Sequence, residues 1–166
     1  ALGEMGLIAE MLTCYQRHQK RLYTPALREI NATCHLFLFT FCGQTEVANY
    51  LLQQNNLKLL SAEQRSFWVA TAQLAAGAQT EANFQLTQLT HSQDAIVRNS
   101  ASRRLAQCRT PVSLTTAEQQ LLHNITLAIQ QEQKFNINAP IAVKKISFTY
   151  LLIAINVVLF MAEIVL

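Results

Sequence analysis

Three features of the sequence predict an all-helical fold, in which helical hairpins stacked as an α-solenoid are followed by one membrane-spanning helix. Only four Gly and three Pro punctuate 166 residues, so little in the chain interrupts helices. Two stretches of the first hundred residues resemble each other with a fixed offset, the mark of a repeated structural unit. The last twenty residues are the most apolar of all, and they carry a single formal charge. This length suffices for one ordinary core without disulfides or metals.

In chain order, LGEMGLIAEML opens the sequence with Gly6 where a turn between two helices is expected. Thr24 followed by Pro25 reads as an N-cap with Pro at the first helical position. FCGQTEVANYLL (41–52) then aligns with AAGAQTEANFQL (75–86). Gly43 and Gly77 lie 34 residues apart; each is followed five residues later by Ala (Ala48, Ala82), then by Asn49 or Asn83, and then by Leu52 or Leu86. Gly turns the chain between two antiparallel helices, and the small Ala on the second lets the pair pack closely. The opening stretch is a poorer third copy, with Met11 where the Ala should be. Ser61 with Gln64, and Thr115 with Glu118, have capping-box spacing, and Asp94 precedes an apolar run through Ile96, Val97 and Leu105. Phe37, Phe39, Phe41, Phe67 and Trp68 are expected in the core rather than in a peptide groove.

The 34-residue period, with its turn Gly five positions ahead of a small Ala, resembles the tetratricopeptide repeat over roughly residues 1–90. No proline closes either copy and the large residues of the first helix are loosely kept, so a degenerate or generic α-solenoid fits as well. The resemblance implies a scaffold that binds a protein segment or spaces other domains.

The expected organisation is a helical repeat region over 1–110, an amphipathic helix within 111–138, a linker over 139–146 and a transmembrane helix over 147–166. The amphipathic helix covers 116–135, with Leu121, Leu122, Ile125 and Ile129 on one stripe and His123 off it. Pro140 breaks it ahead of the linker. From Ser147 to Leu166 the chain is long enough, at about 1.5 Å per residue, to cross a hydrocarbon core about 30 Å thick. Twelve Leu, Ile, Val and Phe residues, at roughly −0.4 kcal/mol each, outweigh Glu163 near the far end. Lys144 and Lys145, with Lys134 behind them, place the helical region on the cytoplasmic side by the positive-inside rule. Tyr150 is expected at that interface.

Thr149, Asn156 and Glu163 recur at intervals of seven and form one polar face on that helix. Polar groups at membrane depth call for partners, so the stripe predicts neighbouring transmembrane helices. Together with Leu152, Ile153 and Phe160 these residues form T-x-x-L-I-x-x-N-x-x-x-F-x-x-E, which resembles the first core helix of the rhomboid family of intramembrane serine proteases. Cyanobacterial-type members are also similar in carrying an Ala/Leu/Gln-rich helical region ahead of the core. The resemblance implies cleavage of a substrate's transmembrane segment by a Ser–His dyad, with the serine in G-x-S-G on a later helix. This chain has no G-x-S triplet, and His18, His35, His91 and His123 all precede the span, so no catalytic residue is assigned to it. The chain starts at Ala1 with no secretory signal, and it is expected to be the front end of such a protein, inert alone. An anchored repeat adaptor without enzymatic activity is the alternative, and a soluble oligomer that buries the last helix is a third.

Other functions are not expected. A net charge of +3, with Arg98, Arg103, Arg104 and Arg109 free of interleaved aromatics, gives no nucleic-acid surface, and these four are expected on a solvated helix face. Cys14, Cys34, Cys42 and Cys108 lack metal-site or disulfide spacing and are expected to be small buried hydrophobes, with no metal or cofactor bound. The N-x-T triplets at Asn31 and Asn124 fall in expected helices and are not expected to carry glycans.

Overall fold

The computed structural model describes residues 2–54, 57, 60–107 and 111–138. All regular structure among them is helical: α1 (Leu2–Met5), α2 (Ile8–Leu22), α3 (Arg28–Phe41), α4 (Thr45–Leu52), α5 (Ala62–Ala76), α6 (Gln79–Leu89), α7 (Ala95–Ala106) and α8 (Thr116–Asn138). One compact unit covers Ala1–Thr126 and holds α1 to α7 with the first half of α8. Of the second unit, from Leu127 onward, the described residues are those of the C-terminal half of α8.

The helix starts follow from local chemistry. Ser61 and Gln64 form a reciprocal capping box on α5, and Thr115 and Glu118 form another on α8. Asp94 accepts the backbone N–H groups of Ile96 and Val97 at the head of α7. Thr24 has the extended backbone of a cap, but its hydroxyl makes no cap bond and Pro25 opens a single 3-10 turn before α3 begins at Arg28.

Gly6, Gly43 and Gly77 end α1, α3 and α5 with φ of 78°, 70° and 93°. Each glycine N–H donates to the carbonyl three residues back, from Gly3, Thr40 and Leu74, at 3.2 Å in all three. The following N–H groups, of Leu7, Gln44 and Ala78, donate to the carbonyls five residues back, from Leu2, Phe39 and Gln73. Each pair of bonds is a Schellman motif, which satisfies carbonyls that a helix end would otherwise leave bare. Leu7, Gln44 and Ala78 then start the next helix with nearly equal backbone angles, φ near −80° and ψ of 69°, 70° and 61°. The poorer third copy at residues 2–11 therefore makes the same joint as the two clearer ones.

Within this unit α1 packs on α3, α3 on α5 and α5 on α7, while α2, α4 and α6 each lie against both the helix before and the helix after. Ala48 and Ala82 are fully buried. Around Ala82 the core consists of Phe67, Ala70, Leu74, Leu86, Leu89, Val97 and Ala101, with Trp68 and Leu105 against it. Small side chains from three helices let the backbones approach, and the larger ones fill the remaining space.

Several expectations need correction. Arg104 is not on a solvated face: it is only 3% exposed and is ion-paired with Glu4, whereas Arg98 and Arg103 are exposed. Its side chain follows Val97 and Ala101 on the buried stripe of α7, and a buried guanidinium has to be paired. Cys14 is exposed and Cys34 half-buried; of the thiols in the described residues, only Cys42 is a core residue. Phe37 is 38% exposed, although Phe39, Phe41 and Phe67 are buried as expected. Ile96 is exposed, so the apolar run in α7 has its inner face at Val97.

Candidate functional site

The hairpin turns position an open cleft of about 700 Å3 inside the Ala1–Thr126 unit. One wall is the Gly6 turn and the start of α2, from Met5 to Glu10. The floor is Phe41 of α3 with Thr71, Leu74 and Ala75 of α5, and the far wall runs from Pro111 to Glu118. That wall is held in place by the Val112 N–H, which donates to the Ala75 carbonyl at 3.0 Å.

Arg104 closes the cleft from α7. Its Nη2 lies 2.8 Å from Glu4 Oε1, and its Cζ stands 5.2 Å from the centroid of Phe41. The guanidinium thus bridges α7 to α1 across the ring of an α3 residue, combining a charge-assisted hydrogen bond with a cation–π contact. Gly3 lies beneath that ring, where a Cβ would fall 2.3 Å from Phe41 Cδ2, so α1 reaches α3 only because the residue is glycine.

A second polar contact joins α2 to α3. Tyr15 Oη and His35 Nε2 are 2.6 Å apart, both side chains are buried, and the Tyr23 ring lies 6.4 Å from the imidazole. Burial pushes the His35 pKa down to about 4, because the charged imidazolium cannot keep its hydration there. His35 is therefore neutral at pH 7, and its partner is a phenol rather than a nucleophile. Cys34 and Cys42 are equally unsuited to nucleophilic chemistry. Burial, with Glu118 nearby, pushes Cys42 up to about 12, and burial followed by the neighbouring Cys14 raises Cys34. Among the described residues no cluster of His, Cys, Asp and Glu has the arrangement of a metal site.

A smaller cleft of about 620 Å3 lies between α4, α5 and α6. Its Arg65 donates to the carbonyls of Leu52, Leu57 and Leu60 at 2.6, 3.3 and 3.2 Å, which commits that cation to the α4–α5 connection. In α8, His123 is exposed beside buried Leu122 and Ile125, as the stripe predicts.

Of the residues singled out in the sequence, Gly43 and Gly77 form turns and Ala48 and Ala82 pack behind them. Thr149, Asn156, Glu163, Lys144 and Lys145 lie outside the described residues, as do Cys108 and Arg109. Among the described residues no helix is long and apolar enough to cross a membrane. Sequence reasoning missed the Glu4–Arg104 pair and the Tyr15–His35 pair. The available signal was helical spacing, which puts Arg104 in line with Val97 and Ala101, Tyr15 with Leu12, and His35 with Leu38 and Phe39. Comparison with protein-family models, curated proteins and solved structures finds no match.

Proposed function

We propose that residues 2–106 are a solenoid of tetratricopeptide-like hairpins that holds a polypeptide segment, and that this scaffold stands on the cytoplasmic side of a membrane as the front portion of a rhomboid-type intramembrane protease. The observation that carries the scaffold is the threefold recurrence of one joint, at Gly6, Gly43 and Gly77, with the same hydrogen bonds and the same entry into the next helix. Stacks built on such a joint expose an inner surface, and that surface commonly serves recognition. The membrane side of the proposal rests on sequence: Lys144 and Lys145 before an apolar stretch with Thr149, Asn156 and Glu163 on one face. Proteolysis itself would require a serine and histidine that this chain does not supply. An anchored adaptor shares the scaffold and the anchor but has no use for the polar face.

The test separates the parts. Expressed in a bacterial host, the full chain should remain in the membrane pellet after alkaline carbonate extraction, and release into the supernatant rejects the membrane reading. Ala48→Phe and Ala82→Phe should each destabilise the helical region by about 1–3 kcal/mol through overpacking. Unchanged melting of both variants rejects the hairpin packing. In a protein carrying the further helices, Asn156→Leu with Glu163→Leu should impair assembly and activity, whereas an adaptor would keep its function.

A further inference from the structure

We infer that the cleft between the Gly6 turn and residues 111–118 binds a polypeptide segment presenting apolar side chains beside lysine or arginine, an inference that builds on the scaffold reading above and gives its partner a chemistry. Three observations carry it. First, Met5 and Leu7, 62% and 39% exposed, stand at the rim of a cleft whose floor includes Phe41 and Leu74. Two exposed apolar side chains on one turn, beside an apolar floor, make a patch that a partner can cover.

Second, among the described residues the charges of the cleft that lack an ion-pair partner have one sign. The charged residues lining it are Glu10, Glu118 and Arg104, and the Arg104 guanidinium is already paired with Glu4. Glu10 is in the first turn of α2 and Glu118 in the first turn of α8, and among the described residues neither has a basic partner. Among the described residues the cleft therefore has acidic excess charge, on a chain whose formal net charge is +3. Such a surface attracts cationic segments and repels acidic ones.

Third, the cleft volume of about 700 Å3 falls within the range of roughly 300–1,000 Å3 typical of ligand-holding sites. Its walls are preorganised, one by the Schellman turn at Gly6 and the other by the capping box of α8 and the Val112–Ala75 bond. Little ordering of the scaffold is then needed when a segment binds.

The experiment uses the full chain in detergent and two short fluorescein-labelled peptides, one alternating leucine and lysine, the other alternating leucine and glutamate. Fluorescence anisotropy should show binding of the first, weakened by added salt, and little binding of the second. Glu10→Lys combined with Glu118→Gln, which keeps a residue able to complete the α8 capping box, should weaken the lysine peptide roughly tenfold and improve the glutamate peptide. Leu7→Ser should weaken the lysine peptide without changing its salt dependence. Equal binding of the two peptides, or no loss in the charge variant, overturns the charge assignment and leaves a peptide-binding scaffold. Binding of neither peptide overturns the cleft as a site; the hairpin stack is then judged separately by the melting of Ala48→Phe and Ala82→Phe.

Discussion

The seam where α1, α2 and α3 meet and the stack formed by α5, α6 and α7 share one turn geometry but are closed by different chemistry. In the C-terminal stack, Ala70, Ala82 and Ala101 are fully buried in an apolar core, and polar contacts are found at one end of it, where Gln64 donates to Asp94 and Ser92 to Glu63. In the N-terminal seam, Tyr15 meets His35 through a 2.6 Å hydrogen bond and Gly3 lies beneath Phe41, while Glu4 ties the seam to Arg104 of α7. An alanine interface is indifferent to pH, whereas a buried imidazole is not. The same joint can thus connect a seam with a buried titratable group and a stack whose core cluster has none.

The turns offer the largest effect. At Gly43 a Cβ would lie 2.8 Å from the Ala76 nitrogen and 3.0 Å from the Ala75 carbonyl carbon, which are backbone atoms that cannot rotate aside. Gly43→Ala should therefore combine left-handed strain of about 1–2 kcal/mol with overpacking of about 1–3 kcal/mol, a loss of at least ~2 kcal/mol in urea unfolding. At Gly77 the nearest neighbour is Pro111 Cγ at 3.2 Å, and Gly77→Ala should stay closer to the conformational cost alone. Equal losses at the two positions would show that the contact between the Gly43 turn and the end of α5 contributes nothing.

The pH response comes next in size and sets the two regions apart. His35 titrates near 4 in the folded chain because of burial and near 6.5 when unfolded. Between these values the unfolded chain takes up a proton that the folded chain refuses, so stability falls as pH drops from 6.5 to 4 and levels off below. The loss is on the order of 3 kcal/mol at most, by linkage. His35→Gln should flatten the dependence in that window. A variant that keeps the full slope would move its origin away from the Tyr15–His35 contact.

The two regions also differ in how much of them was legible beforehand. Gly43, Ala48, Gly77 and Ala82 were readable because turn chemistry and close packing act over a few residues, and the 34-residue offset repeated the signal. Ser61, Asp94 and Thr115 were readable for the same reason, since a cap is a bond to a backbone N–H two or three residues away. Glu4 and Arg104 are a hundred residues apart, and no local pattern links them, so Arg104 looked like one of several surface arginines. Tyr15 and His35 meet across two helices; helical spacing puts Tyr15 in line with Leu12 and His35 in line with Leu38 and Phe39, but no local pattern links the two. The cleft combines five segments of chain, and each of them alone reads as an ordinary turn, helix end or loop.

Gly6 gives the smallest effect and the cleanest control. Its turn has the same two hydrogen bonds as the others, from Gly6 to Gly3 at 3.2 Å and from Leu7 to Leu2 at 3.1 Å, and its φ is 78°. Nothing lies within 4 Å of the position its Cβ would take. Gly6→Ala therefore isolates the left-handed backbone term, about 1 kcal/mol, and Gly6→Asn should lose less because a short polar side chain tolerates that conformation. Subtracting the Gly6→Ala loss from the Gly43→Ala loss in the same urea experiment gives the packing contribution of the buried turn. A Gly6→Ala loss as large as that at Gly43 would mean that the turn itself, rather than what is stacked on it, sets the stability of every joint.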